Sequence, residues 1–235
     1  MHFYKKFVII IIENAKEVNT MTPNELYDIL YMNILADGGE HYNDDYYLNN
    51  PLDFFSELME GCEDVEVCDG ATKICLVPAD GDFVFKINIV DECYRDYCED
   101  EADNYTAAVS AGKDKYFLET RYFKTLNECG VCFAIYIQPK IEEISSEIDS
   151  DDEKSLVKSS WYDSPAAEDM SPAWVSNFIK EYGETEFNEL LDFCDQCHIN
   201  DLHSGNIGYV GGHPVIFDYA GYGDFISSWE DSSEC

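Results

Sequence analysis

Positive charge is scarce in this sequence. The chain of 235 residues has 14 lysines and arginines against 49 aspartates and glutamates, which gives a formal net charge of −35. Such a charge opposes binding to the phosphate backbone of nucleic acids and to anionic membranes, because both carry the same sign. We therefore expect neither a nucleic-acid partner nor a membrane partner, and a basic protein is the partner that the charge favours.

Long apolar runs are missing as well. The apolar run near the amino terminus spans six residues, 7–12, which is shorter than the apolar part of a secretory signal and far short of a membrane span. The absence of a signal, in a chain with ten cysteines, predicts reduced thiols in a cytoplasmic compartment.

Two cysteine pairs have the Cys-x-x-Cys spacing of zinc ligands, Cys129 with Cys132 and Cys194 with Cys197. The second pair lies on a helical pattern and the first bridges a turn and a strand. These positions favour buried or half-buried thiols, and a zinc site is the alternative.

The hydrophobic periodicity predicts an α+β fold: a five-stranded antiparallel sheet with one helix between its third and fourth strands, and further helices before and after the sheet. Period-two alternation predicts the strands, and the spacing of apolar residues near 3.6 predicts the helices. Gly112 is the expected stop of the central helix. The predicted strands of this sheet are 65–67, 73–77, 83–89, 116–126 and 131–138, and a further strand is predicted at 214–217. The predicted helices are 22–34, 51–60, 92–111, 171–182 and 184–197.

Four segments follow from this pattern. The first segment, 1–60, is a helical extension or cap, and the second, 61–138, is a lobe that contains the sheet. The third, 139–170, is a hinge with an acidic linker or insertion, and the fourth, 171–235, is a short helical lobe. The acidic composition of residues 142–170 predicts partial disorder there.

A polar motif follows the last predicted helix. Residues 201–206 read Asp-Leu-His-Ser-Gly-Asn, and Asp218 comes twelve residues after Asn206, at the end of a predicted strand. An aspartate can accept a hydroxyl proton, while an asparagine carbonyl and a carboxylate are hard oxygen ligands suited to Mg²⁺. The alternative is turn chemistry, because Asp and Asn favour loops in any protein.

Lys86 is the other informative residue, because it lies in the otherwise apolar strand Phe-Val-Phe-Lys-Ile. A lysine inside such a strand needs a partner or must lose its charge. Glu101 lies four residues before Tyr105 and shares its helix face, so it can point toward the sheet and pair with Lys86. Glu99 is the second choice, and a Lys86 that faces water from an edge strand is the alternative to any pair.

Together these motifs resemble the protein-kinase-like superfamily. The run from Asp201 to Asn206 is similar to the D-L-H-x-G-N loop of aminoglycoside and choline kinase-like enzymes, and Asp218 with Tyr219 resembles a variant D-F-G. Lys86 resembles the lysine of V-A-I-K. The sequence departs from the family in three ways: it has no G-x-G-x-x-G, it lacks the Arg of H-R-D, and only fourteen residues follow Gly221. The resemblance implies a protein-kinase-like fold with a much reduced helical C-lobe.

The resemblance also implies roles for single residues, with ATP and Mg²⁺ as cofactors. Asp201 would orient or deprotonate the acceptor hydroxyl, and Asn206 and Asp218 would bind the metal. The remaining catalytic residues would be Lys86, which clamps the phosphates, Glu101, which orients Lys86, and His203, which supports the loop. The remaining nucleotide-binding residues would be Gly70, Ala71 and Thr72 over the phosphates and Ile137, Gln138 and Lys140 at the adenine.

Three functions follow as hypotheses. The first is an ATP- and Mg²⁺-dependent phosphotransferase whose acceptor, a small molecule or a protein, is unspecified. The second is a nucleotide-binding pseudokinase or scaffold with little turnover, which the short C-terminal part and the thin glycine loop favour. The third is an acidic decoy that binds a basic protein, which the net charge favours.

Overall fold

A computed structural model of the chain describes residues 20–37, 50–69, 73–90, 96–129, 131–144 and 173–220. These residues form a mixed α and β architecture with a five-stranded antiparallel sheet and five helices. The helices are α1 (Pro23–Asp37), α2 (Pro51–Leu58), α3 (Tyr97–Ala111), α4 (Ala173–Tyr182) and α5 (Glu184–Gln196). Within the described ranges, no helix has both the length and the apolar character needed to cross a membrane.

The main sheet has the order β1-β2-β3-β5-β4, and all of its neighbours are antiparallel. Its strands are β1 (Val65–Asp69), β2 (Ile74–Pro78), β3 (Phe83–Ile89), β4 (Arg121–Glu128) and β5 (Val131–Pro139). The central strand β3 therefore has a neighbour on each side. Because side chains alternate along a strand, Phe85 and Ile87 point to one face of β3 and Lys86 points to the other.

The first face of the sheet is covered by the amino-terminal helices. In α1, Leu26, Leu30 and Ile34 recur every four residues, and none of them is exposed. They belong to one apolar cluster with Phe55 of α2 and with Phe85 and Ile87 of β3. Burial of this stripe against the sheet stabilises both helices, because short helices are marginal on their own.

The second face of the sheet is crossed by α3. Asp96 caps the start of α3 by accepting hydrogen bonds from the backbone N–H groups of Cys98 and Glu99, both at 3.0 Å. The predicted stop at Gly112 is confirmed, since its φ of 67° is the left-handed conformation that ends many helices. The predicted start was too early: α3 begins at Tyr97, after its cap, and residues 91–95 lie outside the described ranges.

The predicted strand at 116–126 is wrong in its first part. Residues Asp114–Tyr116 form a 3₁₀ turn, Phe117 makes a single bridge to Ile216, and β4 begins only at Arg121. Tyr116 and Phe117 are 1% and 4% exposed and pack in a second apolar cluster with the C-terminal helices. Their burial produces a strand-like pattern, but their partners are the C-terminal helices and the small hairpin, and not the neighbouring strand β5.

The C-terminal part is built on the second apolar cluster. Trp174 and Phe178 of α4 pack against Phe187 and Leu190 of α5. A smaller antiparallel sheet, β6 (Glu143–Ile144), β7 (Ile207–Val210) and β8 (His213–Ile216), lies in the order β6-β7-β8. Part of the predicted acidic linker is thus a strand, because Glu143 and Ile144 pair with β7. Its remainder from residue 145 lies outside the described ranges.

Candidate functional site

Lys86 is buried and paired. Its side chain is 4% exposed, and its Nζ lies 2.7 Å from Oε2 of Glu101. Nζ also donates to the backbone oxygen of Phe217 at 2.6 Å. The alternative of a water-facing Lys86 is therefore wrong. The central position of β3 excludes it, because β2 and β5 flank the strand and α3 covers the face from which Lys86 projects.

Glu101 is the carboxylate that α3 presents to the sheet. It is fully buried, whereas Glu99 is exposed, so the structure settles which of the two pairs with Lys86. Thr120 also donates to its Oε2, at 3.2 Å. Burial raises the pKa of the Glu101 carboxyl, and the ammonium groups of Lys86 and Lys73 oppose that shift.

Lys73 is a second buried lysine at this site, and the sequence interpretation missed it. It directly precedes β2, and its Nζ bonds to Oε1 of Glu101 and, at 2.8 Å, to Oδ1 of Asp218. Burial lowers the pKa of Lys73, but the two carboxylates raise it by more, so the net shift is upward. The signal was the strand register. Cys75 pairs with Lys86, and Lys73 lies two residues before Cys75, on the same sheet face.

Asp218 follows β8 and closes the cluster. Its side chain is 36% exposed, so the carboxylate is in contact with solvent while its Oδ1 is held by Lys73. Burial raises the pKa of Asp218, but Lys73 and Lys86 lower it by more, so the pKa lies well below the usual range. The carboxylate is therefore ionised at neutral pH.

The predicted catalytic loop is hydrogen-bonded to the residue that follows β8. Asn206 donates from its Nδ2 to the backbone oxygen of Asp201 at 2.7 Å and to its Oδ2 at 3.2 Å. The backbone oxygen of Asn206 accepts from the N–H of Phe217 at 3.0 Å, one residue before Asp218. The hairpin β7–β8 thus places Asn206 and Asp218 at its open end. Both side-chain bonds of Asn206 use nitrogen, so they leave its amide oxygen as a ligand atom.

His203 holds the loop from within. Its Nδ1 accepts from the N–H of Gly205 at 3.1 Å, which leaves the ring hydrogen on Nε2. Nε2 lies 3.6 Å from Oδ1 of Asp201, so the imidazole faces the carboxylate at slightly more than hydrogen-bond distance. A Cβ on residue 205 would come within 2.8 Å of the His203 ring, so a side chain at this position would displace the imidazole.

Three of the predicted nucleotide-binding positions lie outside the described residues, and two others have backbone partners at the end of the sheet. Gly70, Ala71 and Thr72 lie outside the described residues. Ile137 is flanked by Phe85 of β3 and Arg121 of β4. The N–H of Lys140 donates to Asp82, at 2.8 Å. Adenine recognition by the backbone at these two positions remains a prediction, and it would require this strand end to open.

Gln138 contributes its side chain to the site. It is 3% exposed, and its Nε2 donates to the Phe217 oxygen and to Thr120 Oγ1, both at 2.8 Å. The Phe217 oxygen thus receives hydrogen bonds from both Gln138 and Lys86. These two bonds fix the backbone directly before Asp218, a structural role that the resemblance did not imply.

The side chains that the structure describes do not by themselves form a metal site. Among the described residues, no group of three or more His, Cys, Asp or Glu side chains is placed to hold a metal ion. The zinc alternative for the Cys-x-x-Cys pairs therefore gains no support. The eight described cysteines are free thiols, and burial raises the pKa of the Cys194 thiol well above its usual range.

The donor types of Asn206 and Asp218 nevertheless suit Mg²⁺. Asn206 offers an amide oxygen and Asp218 a carboxylate, which are the hard ligands that Mg²⁺ prefers. Mg²⁺ is commonly held by one or two such groups, with phosphate oxygens and water completing its octahedron. Two ammonium groups beside them suit an anionic ligand. Comparison of the sequence with protein-family models and with curated proteins gives no match.

Proposed function

We propose that the chain is an ATP- and Mg²⁺-dependent phosphotransferase of a minimal protein-kinase-like fold. One observation carries the proposal. In the buried pair of Lys86 and Glu101, Lys86 also donates to the backbone oxygen of Phe217, the residue directly before Asp218. The N–H of Phe217 in turn donates to the backbone oxygen of Asn206, in the loop that carries Asp201. Turn chemistry would explain each loop residue alone, but it does not explain why a buried lysine and glutamate meet the end of β8.

Phosphate binding is assigned to the two lysines. Lys86 is oriented by Glu101 and by the Phe217 oxygen, so its ammonium is held at one place with little remaining freedom. A fixed cation of this kind stabilises negative charge that develops on a phosphoryl group, because it needs no reorganisation during the reaction. The turn at residues 70–72 is expected to add backbone N–H groups over the phosphates.

Metal binding is assigned to Asn206 and Asp218. Bound Mg²⁺ would supply charge neutralisation to the phosphate oxygens. The hairpin holds the asparagine and the aspartate at its open end, and the low pKa of Asp218 keeps its carboxylate ionised.

Asp201 is assigned to the acceptor hydroxyl. When the acceptor oxygen forms its bond to the γ-phosphorus, the bond from that phosphorus to the β-γ bridging oxygen breaks and ADP leaves. The hydroxyl proton passes to the Asp201 carboxylate, which the Asn206 amide holds in place. The acceptor, a small molecule or a protein, is not specified by these contacts.

Phosphate release from ATP tests the proposal. We expect the protein with Mg²⁺ to turn over the γ-phosphate, and Asp201→Asn to reduce kcat by about a hundredfold or more, because general-base contributions have this size. Asp195→Asn is a matched control, since Asp195 is an exposed aspartate at the end of α5. Equal turnover in Asp201→Asn and the control would contradict the role of Asp201.

A nucleotide-binding module with little turnover is the second candidate. It is favoured by the contact of Lys73 with Asp218, because an ammonium occupies an oxygen that a metal ion would use. Thermal unfolding with ATP and Mg²⁺ separates binding from its absence, and ADP production separates an enzyme from a scaffold. Stabilisation by ATP without any ADP production would select this candidate.

The acidic decoy is the third candidate, favoured by the net charge of −35. It predicts that ATP leaves the thermal unfolding unchanged and that a basic protein binds with strong salt dependence. A nucleotide effect that disappears in Lys86→Met would exclude the decoy as a sufficient account of the chain.

A further inference from the structure

We propose that Lys73 couples metal binding to nucleotide binding, by holding Asp218 until a polyphosphate takes its place. The inference rests on the proposed function, since it assigns Asp218 to the metal. Lys73 then acts as an internal substitute for the divalent cation. The nucleotide-free protein then binds Mg²⁺ weakly when the ion comes alone and more tightly when the ion comes with a polyphosphate.

The position of Lys73 shows that its distinct contact is with Asp218. Its side chain is 2% exposed and reaches from the start of β2 to Asp218, 145 residues later in the chain, at 2.8 Å. Its second bond is to Glu101, which Lys86 already neutralises. Lys73 is therefore not required as the only counter-ion of Glu101, and its distinct contact is the one with Asp218.

The charges of the cluster explain why it would bind a divalent cation only together with a polyphosphate. Lys73 and Lys86 contribute two positive charges, and Glu101 and Asp218 two negative charges, so the four groups sum to zero. A divalent cation added to this neutral and largely buried group would leave two positive charges uncompensated, which is costly away from water. A polyphosphate brings the missing negative charge and offers Lys73 a new partner.

The exposed fractions of Asp218 and Lys73 show from which side a cation would reach the cluster. The Asp218 side chain is 36% exposed while that of Lys73 is 2% exposed, so ions can reach the carboxylate from solvent although its Oδ1 is engaged from inside. Without Lys73, the cluster would hold one positive and two negative charges. Asp218 would then be an ionised ligand beside Asn206 with no ammonium on it, ready for a cation.

Binding of Mn²⁺ without nucleotide tests this coupling. Mn²⁺ prefers the same oxygen ligands as Mg²⁺ and is detected by the loss of its free spin-resonance signal. We expect Lys73→Met to bind one Mn²⁺ about tenfold more tightly than the wild type, which is within the usual range of coupling between two ligands. The double variant Lys73→Met/Asp218→Asn should lose this gain.

A matched control separates the local effect from the overall charge. Lys113→Met also removes one lysine that is paired with a glutamate, but its partner is the exposed Glu189. We expect Lys113→Met to bind Mn²⁺ as the wild type does. Equal Mn²⁺ affinity in Lys73→Met and Lys113→Met would overturn the proposal, as would a gain that survives Asp218→Asn.

Two further measurements keep the proposal separate from folding and from the proposed function. If Lys73→Met does not fold, Lys73→Gln keeps a donor but removes the charge and should show the same gain. In the wild type, ATP should raise the affinity for Mn²⁺ by more than it does in the folded variant. If ATP binds neither protein, the proposed function fails, whereas unchanged coupling in a variant that binds ATP overturns only the role of Lys73.

Discussion

Glu101 holds the two buried lysines of the site together. It is fully buried between two ammonium groups and the Thr120 hydroxyl. A buried carboxylate is costly on its own, and here its partners offset that cost. Loss of Glu101 leaves Lys86 with the Phe217 oxygen and Lys73 with Asp218.

Glu101→Gln is therefore expected to lower the free energy of unfolding by about 3 kcal/mol, because breaking a buried ion pair leaves charge uncompensated. Urea unfolding measures this change. Glu189→Gln serves as the control, since Glu189 is 58% exposed in its pair with Lys113, and an exposed pair contributes less than about 1 kcal/mol. Similar losses in the two variants would show that the buried cluster does not stabilise the fold.

The lowered pKa of Asp218 predicts how the stability of the fold depends on pH. Its folded-state pKa lies below the unfolded value of about 3.9. The ionised carboxylate therefore stabilises the fold fully above that value, and this contribution is lost as the pH falls toward the folded-state pKa. The difference in unfolding free energy between wild type and Asp218→Asn should be constant from about pH 7 to pH 5 and shrink below about pH 4. Urea unfolding at each pH measures it, and a difference that widens in acid would contradict the account.

The sequence predicts the residues of the site that belong to a local pattern. Lys86 is recognisable because it interrupts an apolar strand, and Asp201, Asn206 and Asp218 follow a loop and a hairpin. Lys73 is not recognisable in this way, because it is only the first residue of the predicted strand 73–77, directly before β2, and its partners lie 28 and 145 residues away. Only the register of β2 against β3 shows that it shares the face of Lys86.

At the scale of elements, the hairpin β7–β8 positions both proposed metal ligands. Its two-residue turn consists of Gly211 and Gly212, with φ values of 59° and 78°. Both lie in the left-handed region that this type of hairpin turn needs. A Cβ on Gly211 would meet only the His213 ring, at 3.8 Å, so any cost of a side chain there comes from the backbone.

Gly211→Val is expected to destabilise the protein by about 1 to 2 kcal/mol, because a β-branched residue resists the left-handed conformation. Gly211→Asn should cost less, since asparagine adopts that conformation routinely. Urea unfolding compares the two variants. Equal losses for Val and Asn would mean that the turn tolerates another backbone geometry and does not fix the hairpin.

Element limits could be predicted where a local signal marks them. Gly112 and Gly183 flank helices at the predicted places, and α4 and α5 end at or within one residue of the expected positions. The start of β4 could not be predicted, because Tyr116 and Phe117 are buried by contacts with the C-terminal cluster. A pattern of burial does not reveal which partner causes it.

At the scale of the molecule, two apolar clusters lie on either side of a polar layer. One joins α1 and α2 to the sheet, and the other joins α4 and α5 to the small hairpin. Buried polar groups lie between them, among them Lys73, Lys86, Glu101, Thr120 and Gln138. Such a layer between two apolar units is where a polar ligand can be bound with hydrogen bonds on several sides.

The net charge of −35 predicts how nucleotide association depends on salt. At about 0.01 M salt the screening length is about 30 Å, and the acidic protein repels the anionic nucleotide over that distance. Raising the salt to about 0.15 M shortens it to about 8 Å. The association rate of a fluorescent ATP analogue with Mg²⁺, measured by stopped flow, should therefore rise. A rate that falls with salt would show that local attraction by the lysines dominates.

The central claim is that Lys86, Asp218 and Asn206 form one nucleotide–metal site. Calorimetric titration of the protein with a non-hydrolysable ATP analogue and Mg²⁺ tests it most directly, in the wild type and in Lys86→Met. We predict saturable binding of one equivalent to the wild type and at least about tenfold weaker binding to the variant, since charge-assisted hydrogen bonds to phosphate are among the strong ones. No saturable binding to the wild type, or equal affinity in the two proteins, would contradict the account.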